Sequence, residues 1–313
     1  MAKGFQASRQ WERINELWVT EDAAADLTGF KSDRRNFNIA LWDPTANGVR
    51  YLRALVYELA TRLSDDEWSK IENVHNRDVG DPVTVRYEGR SICLDYLQAA
   101  LELGFIEREL ALDGARVLEI GAGYGRTCHA MLSNYDLDSY TIVDLKNTLS
   151  LSRAYLREVL DDKQFAKMKF IQVEDEDIDA ALGSDRFELC VNVHSFTEMT
   201  PDTVQAYLRL IDDRCEAFFV KNPVGKFRDK AMDGHQKGEE AVRLAMETGP
   251  LRQVLDIHDS EAVDAAVPAF IEAYRPGAGW ACTADARGVP WSYFRQAIFR
   301  KTSSRKTSSR KAA

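Results

Sequence analysis

What this sequence has little of narrows it first. Its 5 cysteines in 313 residues lie scattered from Cys93 to Cys282 with no CxxC pair, which excludes a disulfide framework and offers no zinc-site spacing. The 5 histidines are as dispersed, and no metal is inferred. No apolar run approaches the roughly 20 residues that cross a bilayer, and the opening MAKGFQASRQWERINELWVT has no apolar signal core. The expectation is a soluble, cytoplasmic protein with no membrane partner. Positive charge is short: the formal net charge is −9, and setting aside six basic residues among 300–313 (Arg300, Lys301, Arg305, Lys306, Arg310, Lys311) leaves −15. A body so acidic repels nucleic acid and favours neutral or cationic small molecules.

What is present is ordinary globular material, 45% hydrophobic and 29% charged, in a length that suits one large or two modest domains. The N-terminal third reads as helical, with Trp11, Ile14 and Trp18, then Leu52, Leu55, Val56, Leu59 and Leu63, recurring as core stripes. Ser64 and Glu67 form a capping-box signature, DVGDPVTVRYEGRS reads as a hinge or β-hairpin, and 92–103 as a helix closed by Gly104. From 115 the pattern changes to the short apolar runs ARVLEI, SYTIVDL, KFIQV, FELCVNV and AFFV, separated by helical stretches. This alternation predicts a parallel sheet with helices on both faces. Thr200-Pro201 marks one helix start. Helical stretches at 237–248 and 260–274, the run LRQVLDIH and the strand candidate WSYFRQAIFR follow, so that two late strands can complete the sheet. Three parts result: a helical region 1–104 serving as lid or homodimer contact, a catalytic domain 105–300, and a flexible basic tail 301–313 that repeats KTSSR.

The most informative segment is VLEIGAGYGRT, Val117 to Thr127, a buried strand entering a glycine turn and then a helix. Glycines there admit positive φ and let backbone approach a nucleotide-like ligand. The next strand closes on Asp144, where an acid in such folds accepts both ribose hydroxyls. The phosphate-loop pattern GxxxxGK fails, because the register from Gly121 ends in Arg126 and Thr127. The dinucleotide pattern GxGxxG also fails at 126, where arginine stands for glycine, and this weakens a nicotinamide-cofactor reading.

VLEIGAGYGRT with Asp144 resembles the cofactor motif of class I S-adenosylmethionine-dependent methyltransferases. More narrowly, IGAGYGRTCHAML, YTIVDL and VNVHSFTEM are similar to a family described as sugar O-methyltransferases, found in natural-product pathways; the likeness spans residues 85–225. The resemblance implies a Rossmann-like α/β sheet, parallel with a late antiparallel strand, and S-adenosylmethionine as cofactor. It implies Glu119 and Gly121 beside the methionine end, Gly123 and the 125–127 turn shaping the loop, Asp144 on the ribose, Asp175 of the run 173–177 on adenine, and Ala122 and Asn192 as further cofactor contacts.

Methyl transfer to a hydroxyl needs alignment and removal of a proton. The fourth strand ends in Asn192-Val193-His194-Ser195-Phe196-Thr197-Glu198-Met199 at the carboxyl edge, where such reactions occur. His194 is the leading candidate base, and Glu198 can orient it, act as a base or bind a cationic substrate. Phe196 and Tyr124 can face a sulfonium, although buried aromatics more often form core. Ser195, Lys221 and Asn222 are candidate substrate contacts, and His235 sits in a polar loop. The expected function is methyl transfer to a polar small molecule, at a hydroxyl of a sugar-like or natural-product intermediate. The alternative is N-methylation of a cationic amino acid or guanidine such as free arginine. A cofactor-binding protein without chemistry is a third reading.

Overall fold

The computed structural model describes residues 8–18, 20, 35, 46–174, 177–226 and 239–302. These fall into two compact units, Met1–Arg62 with Val83–Cys93, and Leu63–Pro82 with Leu94–Ala313. In the smaller unit, α1 (Arg9–Leu17) is capped by Ser8, whose Oγ accepts the Trp11 N–H at 3.4 Å. Only Ile14 of this helix is buried, and Trp11 is exposed, so the expected stripe is not a core stripe here. Helix α2 (Gly48–Ala60) buries Val56 and Ala60, while Leu52, Leu55 and Leu59 are half-buried. Strands β1 (Thr84–Tyr87) and β2 (Arg90–Cys93) form the expected hairpin. Its two turn residues, Glu88 and Gly89, both take positive φ, as a two-residue hairpin turn of matching twist requires. The Tyr57 ring meets Tyr87 edge-on at 5.5 Å and ties α2 to the hairpin.

The larger unit opens with α3 (Asp65–Glu72), where Ser64 and Glu67 complete the capping box. Helix α4 (Leu94–Glu107) belongs to this unit, as does α3, whereas the sequence reading assigned both to the N-terminal region. It also runs through Gly104, the expected stop: burial of the flanking Leu103 and Phe105 on the helix outweighs the cost of one glycine. Then come β3 (Arg116–Ile120), α5 (Arg126–Asn134), β4 (Ser139–Asp144), α6 (Lys146–Val159), α7 (Asp162–Ala166), β5 (Met168–Gln172), α8 (Ile178–Leu182), β6 (Phe187–Val193), a 3-10 turn (Ser195–Glu198), α9 (Pro201–Arg214), β7 (Cys215–Pro223), α10 (Glu239–Glu247), α11 (Ser260–Ala265), α12 (Val267–Ala273), β8 (Trp280–Arg287) and β9 (Phe294–Lys301). Thr200 caps α9 ahead of Pro201, as the sequence indicates.

The seven strands pair in the order β5-β4-β3-β6-β7-β9-β8. Strands β3 to β7 are parallel, and β9 joins β7 and β8 antiparallel. This is a Rossmann-like sheet with the expected late antiparallel edge. The sequence missed β8: TADA carries little apolar signal, and LRQVLDIH, the competing candidate, contributes only the isolated bridge Lys226–Val254. Inner strands are buried on both faces, as Phe218, Phe219 and Val220 of β7 illustrate, which is why they read as continuous apolar runs. Beneath them α9 buries Val204, Tyr207, Leu208 and Ile211. Phe196 lies fully inside this core, stacked with Tyr207 and Tyr274. The tail beyond Thr302 lies outside the described residues.

Helix α5 is buried almost all round and carries His129, 1% exposed. His129 Nδ1 and the Tyr96 hydroxyl are 2.7 Å apart, and Tyr155 completes the cluster through the same hydroxyl. Burial pulls His129 down to about 4, against a hydrogen bond to the His75 backbone. The unfolded imidazole protonates near 6.5, so folding opposes protonation. About 3 kcal/mol is therefore present above pH ~6.5 and lost as the pH falls toward ~4. In urea unfolding across this range, His129→Leu should be less stable than wild type near neutrality but lose less on acidification.

Candidate functional site

The chain leaves β3 for β4 on one side and later crosses back to β6 on the other, which makes the ends of β3 and β6 the topological switch point. Ligands of open α/β sheets bind outside the carboxyl ends of strands at this point. The loop after β3 is the glycine turn, and the loop after β6 is residues 194–199.

Gly121, Gly123 and Gly125 take φ of 74°, 60° and 97°. A Cβ at Gly121 would stand 2.2 Å from Ser195 Oγ, and one at Gly125 2.7 Å from Leu156 Cδ1. The first and third glycines thus permit close packing as well as left-handed backbone. Asp144 holds the turn from β4: Oδ2 accepts the Gly123 N–H at 3.2 Å and Oδ1 the Leu145 N–H at 2.7 Å. Burial raises the Asp144 carboxyl above its ordinary range, and the N–H groups of Leu145, Gly123 and Ala122 pull it back. Glu119, 1% exposed, accepts the Tyr140 hydroxyl at 2.8 Å. Burial pushes Glu119 up to about 7, opposed by the Tyr140 hydrogen bond and the charge of Arg126.

These groups wall a cleft of about 380 Å³, closed on its far side by His194, Ser195 and Glu198. His194 is exposed at φ 67°, its N–H donating to Lys221 O at 2.8 Å and its ring 5.2 Å from that of Phe294. Ser195 Oγ donates to Ile120 O at 2.9 Å, which binds the β6 loop to the end of β3. Glu198 is exposed, with no hydrogen bond or ion pair among the described residues. A second cavity of about 360 Å³ shares His194 and Glu198 and continues to Lys226, Thr248 and Tyr293. Lys226, which the sequence reading passed over, donates to Thr197 O at 3.2 Å.

Of the expected residues, Glu119, Gly121, Ala122, Gly123, Asp144, His194, Ser195 and Glu198 meet on this cleft. Three do not. Asn192 is fully buried, its Nδ2 donating to Ile120 O at 3.0 Å and Ser195 Oγ at 2.6 Å, so it braces the strand ends from behind. Asn222 is fully buried and donates to Asn192 Oδ1 at 2.8 Å. Lys221, offered as a substrate contact, turns inward: 2% exposed, it pairs with Glu102 at 2.8 Å and donates to Val289 O at 2.9 Å. A strand buried on both faces leaves Lys221 and Asn222 no route to solvent, which corrects their assignment to the substrate. Asp175 and His235 lie outside the described residues.

Glu102, within the helix expected over 92–103 and not singled out by the sequence, also pairs with Arg126 Nη1 at 2.8 Å. Its carboxyl stays below the usual range, because Arg126 and Lys221 outweigh the burial that would raise it. Tyr124 lines the cleft with its hydroxyl on Asp95 at 2.9 Å. Among the described residues no group of three His, Cys, Asp or Glu is placed to hold a metal, and no helix is long and apolar enough to cross a membrane.

Strand order and cleft define a Rossmann-like fold with a site at the switch point. No family model and no curated protein matches the chain. Among solved structures, the methyltransferase domain of bacterial CtHen1-CN is 12% identical, covering 65% of this chain and 97% of that one, at a TM-score of 0.45. The glycopeptide N-methyltransferase MtfA complexed with S-adenosyl-L-methionine is 16% identical, covering 66% and 94%, at 0.42. A cyclopropane-fatty-acyl-phospholipid synthase-like protein from Lactobacillus casei is 16% identical, covering 41% and 50%, at 0.35.

Two glycines give opposite expectations in thermal unfolding. Gly121→Ala combines left-handed strain with a collision at Ser195 and should cost at least about 2 kcal/mol. Gly104→Ala, in mid-helix with nothing within 4 Å of the new Cβ, should stabilise by about 0.5–1 kcal/mol.

Proposed function

We propose that the chain is an S-adenosylmethionine-dependent methyltransferase acting on a polar small molecule. The observation that carries this reading is the clamp of Asp144 on a three-glycine turn at the switch point, facing His194 and Glu198 across one cleft. The donor set fits the cofactor. The Asp144 oxygens accept backbone N–H groups of the turn and of Leu145, and a carboxylate's remaining lone pairs are available to a ribose hydroxyl. Glu119 suits the ammonium of an amino-acid end, and the cleft has the volume of a small-molecule site.

When bound, S-adenosylmethionine supplies a methyl group on a sulfonium, transferred by in-line displacement. The chain's own work is positioning and proton handling. Asp144 and the glycine turn fix the nucleoside, and Ser195 holds the β6 loop against β3. The second cavity takes the acceptor, since it meets the cleft at His194 and Glu198. For a hydroxyl of a sugar-like or natural-product intermediate, His194 removes the proton as the methyl arrives. The exposed Glu198, without an ion-pair partner among the described residues, supports a second reading, in which it holds a cationic nitrogen acceptor such as a guanidine.

Asp144→Ala should weaken S-adenosylhomocysteine binding at least about tenfold in calorimetry, as loss of charge-assisted hydrogen bonds implies. Equal affinity in variant and wild type defeats the cofactor assignment. With neutral polyhydroxylated and cationic amino-acid acceptors supplied separately, His194→Ala should abolish product from the first and Glu198→Gln from the second. The pool that the wild type methylates chooses between the readings.

Glu119 adds a pH dependence. Its carboxyl titrates near 7 in the free protein, and a ligand ammonium beside it favours the charged form, so binding expels a proton. Affinity for S-adenosylhomocysteine should rise as pH increases through about 7 and level off above, while Glu119→Gln flattens the profile.

A further inference from the structure

We infer that Arg126 receives the carboxylate of the cofactor's amino-acid end, so that the cleft selects a zwitterion and not merely an adenosyl sulfur compound; this rests on the methyltransferase reading above. Arg126 is the first residue of α5, directly after Gly125, and lines the cleft. Its side chain is 14% exposed. One edge of the guanidinium is committed: Nη1 pairs with Glu102 Oε2 at 2.8 Å and donates to Asp95 O at 3.3 Å. Nε and Nη2 have no partner among the described residues and are not among the sealed, unsatisfied polar atoms of the interior. A planar fork with one side anchored and the other free is the geometry that takes a carboxylate.

Charge points the same way. The Glu102 carboxylate is shared by Arg126 and Lys221, so two cations meet one anion inside the protein. Buried charge is tolerated when paired, and the single carboxylate of Glu102 cannot neutralise both cations. Asp95 and Glu119 also act on Arg126 by charge, but the Asp95 carboxylate accepts the Tyr124 hydroxyl and the Glu119 carboxyl accepts the Tyr140 hydroxyl, so neither is hydrogen-bonded to the free edge of the guanidinium. The amides opening the nine-residue α5 add their own preference for an anion at this end. Glu119 and Arg126 stand on one wall, an acid and a base for the two ends of an amino acid.

The test compares S-adenosylhomocysteine, its decarboxylated analogue and 5′-methylthioadenosine by isothermal titration calorimetry. Wild type should bind S-adenosylhomocysteine about 10- to 100-fold more tightly than the decarboxylated analogue, as a charge-assisted bidentate contact implies. Arg126→Gln leaves Glu102 and Lys221 as a neutral pair and should fold; it should erase that ratio while leaving the analogue's affinity unchanged. Should it not fold, Arg126→Lys carries the same comparison, and the ratio should shrink. A wild type that binds the nucleosides without discriminating, or a variant that weakens both ligands equally, overturns the assignment of Arg126 alone. Failure of all three compounds to bind wild type overturns the methyltransferase reading together with it.

Discussion

The buried carboxylate of Glu102 is the point through which the larger unit holds together at its functional end. It joins α4 to the first residue of α5, the next helix, and to the end of β7, more distant in the chain. Its removal leaves two interior cations facing each other, which a low-dielectric interior does not tolerate. The arrangement is directional as well as cohesive. Arg126 is fixed by one edge, so the helix after the glycine turn cannot rotate without breaking the pair, and Lys221 carries the same restraint to the loop containing Val289.

Upon that frame the cleft is assembled by steric exclusion. Gly121 and Ser195 occupy space that neither could share with a larger residue, and Ser195 in turn reaches the end of β3. Asn192 and Asn222 continue this bracing behind the wall, a chain of amides passing from β3 through β6 to β7. The polar groups that face the ligand are thus supported by polar groups that never meet it.

Much of this was legible in the sequence, because the parallel strands are apolar runs and the glycine turn with Asp144 has a fixed spacing. Caps at Ser64 and Thr200 were equally readable, being local. The misreadings were of contacts that local pattern cannot encode. Lys221 and Asn222 follow a strand and look like edge residues, yet antiparallel β9 covers that strand and shuts them in. Strand β8 was missed because its alternation is filled with alanine, threonine and aspartate. Arg126 was noticed only as a missing glycine; its partner Glu102, an isolated acid inside LQAALELGF, was the available signal, and the two are joined only by the fold.

The position of β9 bears on how the molecule comes to be made. It is the last strand among the described residues, yet it lies between β7 and β8 and not at the rim. During synthesis β3 to β7 can align while β7 still presents an open row of amides and carbonyls, a surface on which another chain could add a strand. The interior around Lys221 closes only after residues 294–301 have left the ribosome, so the β3–β4 side of the cleft can be in place before the neighbouring wall is sealed.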